Sequence, residues 1–294
     1  MVAASSTQYE PPCCCSAGLL VAVRRRADYV ERRSDGYLEP EEVVVVGTAH
    51  VSLESARDVE AVIDVLRPES VVVELCRGRS PLMYIDDEDP AGPGPGSLRN
   101  PLLLGGRDFR EALQRALALG SGGALVLRFL LGLLSQSVSQ RLDVLPGVDM
   151  QAARRAAERH GSQLVLGDRP LEISLDRAWT SLSWQQRAEL LRGLAIAWQQ
   201  SRSSALGPEV VDRLREEGDV VSVLEGLAPQ FPGVVDALLF ERDLYLAWSC
   251  KRSKAVNGSR RVVAVVGKGH LRGITYTLLT DRGELRWVQG GASR

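Results

Sequence analysis

The 294-residue chain has almost no net charge, few aromatic rings, no paired-cysteine motif and only three histidines. Each shortage closes off a class of function. A formal net charge of −1 provides no basic stripe, so nucleic acid is not an expected partner. Aromatic residues are 5% of the total, too few for base-stacking platforms. None of the five cysteines has CxxC spacing, which argues against a disulfide framework and a zinc knuckle. Free thiols fit a reducing, cytoplasmic compartment. The arginines at 24–26 follow an apolar stretch instead of preceding it, so no secretory signal is read there. The apolar run GALVLRFLLGLL at 123–134 is too short for a membrane span and contains Arg128, so no integral span is expected. Acylation at Cys13–Cys15 would still permit peripheral association with an organelle membrane.

What remains is the composition of an ordinary globular domain, 45% hydrophobic and 25% charged. Residues 1–40 lack a sustained period and read as a disordered tail, and a domain is expected over 41–290. EEVVVVG, SVVVEL, SQLVLGDRP and RRVVAVVG are β-branched runs of the kind that parallel sheets bury on both faces. Between the first two, Ala56, Val59, Val62, Ile63 and Leu66 recur at helical spacing, with Ser52 as N-cap and Pro68 as stop. In the helix after GVD, Met150, Ala153 and Ala157 share a face, and Gly161 stands at the C-cap position. Residues 86–100, rich in Gly and Pro, read as a flexible loop. Helices are expected over 183–253, with Ser183 capping one and Pro232 opening another. ITYTLLTDRGELRWVQ alternates around a glycine and reads as a hairpin. The expected fold is α/β: a central, mostly parallel β-sheet flanked by helices, with a helical insertion and a C-terminal hairpin.

Two of the three histidines follow valine runs in the same Gly-x-x-His pattern, in VVVVGTAH and VVAVVGKGH. The four core strands finish near ionisable groups: His50 after the first, Glu74 and Arg79 after the second, Asp168 and Arg169 after the third, and His270 after the fourth. Ligands of parallel α/β sheets sit at that carboxyl edge. Two imidazoles and a carboxylate suit a divalent transition metal such as manganese, zinc, cobalt or iron. The arginines can grip a carboxylate or phosphate. In FERDLYLAW, Glu241 and Arg242 point about 100° apart on a helix, so one of them is a candidate to face the site. His160, at the end of a helix, reads as structural.

GTAHVSLES, VVVELCRGR, LGDRPLEISLDRAW, FERDLYLAW and VVGKGHLRGI, in this order, resemble the TraB family over about residues 41–275. The family takes in a bacterial pheromone-response regulator, eukaryotic TraB-domain proteins and, distantly, the Tiki proteases. The resemblance implies an EreA/ChaN-like fold. It also implies metal-dependent peptide cleavage, with His50 and His270 as metal or catalytic residues and Glu74 as ligand or general base. Arg79 would bind substrate or support the site, and Asp168, Arg169, Glu241 and Arg242 would belong to the same catalytic set. A non-catalytic module binding a peptide or small anion on the same rim is the alternative. Several eukaryotic relatives associate with the mitochondrial outer membrane, but the expected hairpin is not followed by a C-terminal span.

Overall fold

The computed structural model describes residues 19–30, 34–49, 53–84, 147–202, 228–282 and 285. Its centre is a five-stranded sheet in the order β1-β2-β5-β3-β4. The strands are β1 (Leu19–Arg24), β2 (Glu42–Thr48), β3 (Ser70–Val73), β4 (Gln163–Leu166) and β5 (Arg261–Gly267). β2, β5, β3 and β4 run parallel, and β1 is antiparallel to β2. The α/β expectation thus holds, with one sheet made mostly of parallel strands.

The valine runs explain the layering. Successive strand side chains point to opposite faces, so each run supplies two cores. Val44, Val46, Val71, Val73, Val263 and Val265 face one side. There they meet α1 (Leu53–Leu66) and α2 (Val148–His160) through Val59, Ile63, Met150, Ala153 and Ala157. Val43, Val45, Val72, Val262, Ala264 and Val266 face the other. They pack on α6 (Glu241–Lys251) and α7 (Lys268–Thr280) through Leu246, Cys250, Leu271, Ile274 and Leu278. A satellite core joins α3 (Leu171–Thr180) to α5 (Pro232–Val235). The intervening α4 (Trp184–Arg202) begins with a capping box: Ser183 Oγ accepts from the Gln186 N–H, and Gln186 Oε1 accepts from the Ser183 N–H. Gly161 caps α2 in the left-handed conformation, φ 68°. α1 ends at Leu66, just before Pro68.

Two expectations are corrected. The segment read as the first arm of a hairpin is helical: α7 continues to Thr280. The β-branched residues and the local alternation suggested a strand, but Leu271, Ile274 and Leu278 recur at helical spacing and seat the segment on the sheet. Nor are residues 1–40 wholly a tail. Leu19–Arg24 pairs with β2 and covers its outer edge, a contact no local pattern announces. Tyr37 and Glu39 are buried beside the end of α6, where the Tyr37 hydroxyl donates to the Lys251 carbonyl. The 86–100 loop, the 123–134 run, Cys13–Cys15, Ser52 and His50 lie outside the described residues.

Candidate functional site

The parallel register brings the strand ends together. Thr48, at the end of β2, stands opposite Gly267, at the end of β5, and Val73 of β3 stands between Val265 and Leu166. Glu74 directly follows β3 and is nearly buried. One carboxylate oxygen accepts the Gly267 N–H at 2.7 Å, and the other accepts Arg242 Nη2 at 2.6 Å. His270 lies in the first turn of α7, with Nε2 3.2 Å from the oxygen that Arg242 also contacts. Its Nδ1 is 2.6 Å from Asp243 Oδ1 on α6. The ring therefore sits between two carboxylates.

Asp168 follows β4 and is likewise buried. It accepts its neighbour's backbone, Arg169 N–H, at 2.8 Å, as expected of an Asp in a turn. It also accepts two bonds from Arg242, at 3.1 and 2.8 Å, and a third from Arg79. Arg242 thus bridges Glu74 and Asp168, and of the FERD pair it is the one that faces this cluster. Arg79, in the 3₁₀ turn Arg77–Tyr84, meets Asp168 and the Glu74 carbonyl, not the Glu74 carboxylate. Its side chain is 22% exposed and that of Arg242 17%, so the arginines form the solvent-facing side.

Glu241 and Arg169 occupy a neighbouring network. Arg169 is fully buried and donates to Glu241 at 2.6 Å, Ser174 Oγ at 2.9 Å and the Ala237 carbonyl at 2.6 Å. Arg177, which the sequence reading did not single out, also grips both Glu241 oxygens. A π-helical stretch, Asp236–Phe240, joins α5 to α6. Its carbonyls at Ala237 and Leu238 accept from Arg169 and Arg242, so the irregular turn orients both arginines.

Burial works against charge on His270, but the Glu74 carboxylate and the Asp243 hydrogen bond outweigh it and push the imidazole up to about 9. Burial also raises the Asp243 carboxyl above its ordinary value. The ring keeps the proton because it faces two carboxylates. Burial opposes the charge on Glu241 too, yet Arg177 and Arg169 hold its carboxyl below the usual range.

Of the sequence candidates, Glu74, Arg79, Asp168, Arg242 and His270 form one connected cluster, and Arg169 and Glu241 form the next. The sequence reading missed Asp243, although it directly follows Arg242 in the same block. It also missed Asp149, a fully buried carboxylate that accepts the Thr48 hydroxyl at the end of β2. Cys76 is a buried free thiol, and His160, at the end of α2, pairs with Asp64 of α1, away from the cluster at the strand ends.

The donor set fits part of a metal site. Two ligands about 2.0–2.1 Å from one ion at a tetrahedral angle lie roughly 3.3 Å apart, close to the His270–Glu74 separation. Asp243 holds the other ring nitrogen, as a supporting carboxylate does for a ligand imidazole. Glu74 Oε1 already meets both Arg242 and His270 Nε2, so an ion between the ring and the carboxylate would take the place of the proton on Nε2. Among the described residues, no third His, Cys, Asp or Glu completes a set.

The sequence profile of the TraB/PrgY/gumN family matches residues 36–284. A TraB domain-containing protein of Bos taurus is 29% identical over 254 residues, covering 81% of this chain and 63% of its own length. The Homo sapiens protein of that name is 28% identical with the same coverage. An uncharacterized protein of Methanocaldococcus jannaschii, MJ1365, is 25% identical over 81% of this chain and 53% of its own. The chain therefore spans less than two thirds of the length of the relatives it matches. Among the described residues, no helix is long and apolar enough to cross a membrane.

Proposed function

The chain belongs to the TraB/PrgY/gumN family, and on that premise we propose that it is a metal-dependent hydrolase of peptidase type, acting at the carboxyl edge of its sheet. The observation that carries the reading is the His270 Nε2–Glu74 Oε1 separation of 3.2 Å, with Asp243 behind the ring. His270 and Glu74 would supply two ligands and His50 the third. His50 enters on sequence alone, as the residue two positions beyond Thr48, whose neighbour across the sheet is Gly267. A bound manganese, zinc, cobalt or iron ion supplies Lewis acidity toward an amide carbonyl or a water molecule.

The chain's own groups do the rest. The Gly267 N–H and Arg242 fix the Glu74 carboxylate, and with it the direction of any proton it accepts. Asp168 holds Arg242 and Arg79 side by side. Arg79, at the solvent-facing side, offers a planar fork to a substrate carboxylate. Arg169 braces the π-helical turn through the Ala237 carbonyl and, through Glu241, the first turn of α6 from which Arg242 projects.

The test is metal content by ICP-MS, on protein purified without chelator, against the His50→Ala/His270→Ala double variant. Bound metal in the wild type and its loss in the variant are expected. Equal, negligible metal in both removes the hydrolase reading.

A second reading, a non-catalytic module for peptides or small anions, is favoured by one observation. Arg79 Nε is buried and meets no acceptor among the described residues. On this reading, binding of a carboxylate-ended peptide survives His50→Ala and fails with Arg79→Ala. Cytoplasmic placement and peripheral contact with an organelle membrane remain part of the proposal, resting on the free thiols and the family.

A further inference from the structure

α6 meets α7 closely at a residue that has no side chain. Gly273 lies one turn beyond His270, on the same face of α7. A Cβ added there would fall 1.9 Å from Asp243 Oδ2 and 2.6 Å from its Cγ. The carboxylate therefore occupies the space that any side chain at 273 would need. Its other oxygen, Oδ1, lies 2.6 Å from His270 Nδ1. One edge of the carboxylate rests in a notch of the α7 backbone, and the other grips a ring that projects from the same helix three residues earlier.

We infer that Asp243 and the bare Gly273 together form a positioning device that fixes the His270 ring and aims Nε2 at Glu74. Three features support a device over incidental packing. Asp243 is 4% exposed, so its burial must be matched by a strong partner, and His270 is the partner within reach. Glycine in mid-helix is unfavourable, and propensity alone would place alanine at 273. The geometry also leaves the carboxylate little freedom, since moving it off His270 means leaving the notch. A ring held at Nδ1 cannot turn about its bond to Cβ without breaking that contact, so Nε2 stays 3.2 Å from Glu74. Asp243 is thus a positioning residue, acting through His270. The anchoring of the ring stands apart from the hydrolase reading, and only its effect on metal affinity rests on it.

The chain's three histidines make a direct test practical. The full chain is labelled with ¹⁵N-histidine, and the ring signals are assigned with His50→Gln and His160→Gln. Wild-type protein is expected to show one slowly exchanging, low-field Nδ1 proton, belonging to His270. Asp243→Ala and Gly273→Ala should each abolish that signal and leave the His160 ring unchanged. Gly273→Ala conserves every charge in the site, so the loss would report displacement alone. Should Gly273→Ala unfold, the Asp243→Ala/Gly273→Ala double variant supplies the second measurement. Removing the carboxylate clears the notch, so the double variant should melt higher than Gly273→Ala. Zinc affinity should fall 10–100-fold in Asp243→Ala. Retention of the Nδ1 proton in Asp243→Ala, or a double variant no more stable than Gly273→Ala, overturns the inference. A wild-type chain that shows the Nδ1 proton but binds no zinc keeps the inference and removes the metal reading instead.

Discussion

The two ends of α6 each sit in a buried knot of charge, and only one of them opens to water. At the first turn, Arg242 and Asp243 join Glu74, Asp168, Arg79 and His270. At the last, Lys251 lies 2.9 Å from Glu39 and 3.0 Å from Asp281, with Arg252 beside both acids. Acids and bases are matched in number at both ends. In the second knot no side chain exceeds 6% exposure, whereas Arg79 and Arg242 reach 22% and 17% in the first. The sealed knot joins segments far apart in sequence: the stretch before β2, the end of α6 and the end of α7. Charge burial alone therefore does not mark a site. The open knot is distinguished by an imidazole, whose charge is conditional, and by cations within reach of a ligand.

The widest separation between the two should come from Lys251→Met. It keeps the side chain's bulk and leaves Glu39 and Asp281 without their shared ammonium group. Breaking a buried pair by removing one partner costs about 3–5 kcal/mol. Urea unfolding at pH 7 should show that loss with no change in metal content. A loss under about 1 kcal/mol would mean that water reaches the sealed knot.

The next contrast is with pH. The folded pKa of His270, about 9, lies above its unfolded value of about 6.5. A raised pKa stabilises the fold fully below the unfolded value and progressively less as pH climbs through the folded one. The titration is felt by Glu74 and Asp243 as anions and by Arg242 as a cation. Roughly 3 kcal/mol should disappear between pH 6.5 and 9 in chelator-treated protein, from the difference of those pKa values. His270→Gln should flatten the slope, and Lys251→Met should leave it. A slope unchanged in His270→Gln would assign it to another group.

Much of this contrast could be read in the sequence, and the part that could not shares one cause. Strands buried on both faces are written as valine runs, so β2, β3 and β5 were legible, while β4, Gln-Leu-Val-Leu at the sheet edge, is only partly buried and was legible as a short apolar run. Their parallel order then delivers Glu74, Asp168 and His270 to one edge. Ser183 and Gly161 carried their cap roles in local chemistry. Asp243 could not be assigned, because its role depends on how closely α6 approaches α7, and Gly273 sets that distance. The pairing of β1 with β2 and the sealed knot at Glu39 likewise depend on long-range contacts. The C-terminal segment was misread for the opposite reason: its β-branched residues spoke for a strand, and packing against the sheet decided for helix.

Arg79→Ala sharpens the comparison from the open side. Asp168 loses one of its two guanidinium partners but keeps both bonds from Arg242, so the stability cost should be about 1–2 kcal/mol. Calorimetry with a carboxylate-ended peptide should show lost binding if Arg79 receives the substrate. Unchanged affinity would assign Arg79 to support of Asp168 alone.

The smallest effect is expected at the third histidine. His160 ends α2 and lies 2.8 Å from Asp64, which is 44% exposed and is also met by Arg159 at 3.0 Å. Hydrogen bonds from His160 and Arg159 hold the Asp64 carboxyl below its ordinary value. Solvent screens such a pair, and its contribution should stay below about 1 kcal/mol. His160→Gln keeps a donor near Asp64, so urea midpoints at pH 6.5 and 9 should both match the wild type closely. A variant that instead lost the slope between those pH values would move the titrating imidazole from the strand edge to this exposed helix end. The distinction between an open, conditional cluster and a sealed, permanent one would then have to be drawn without His270.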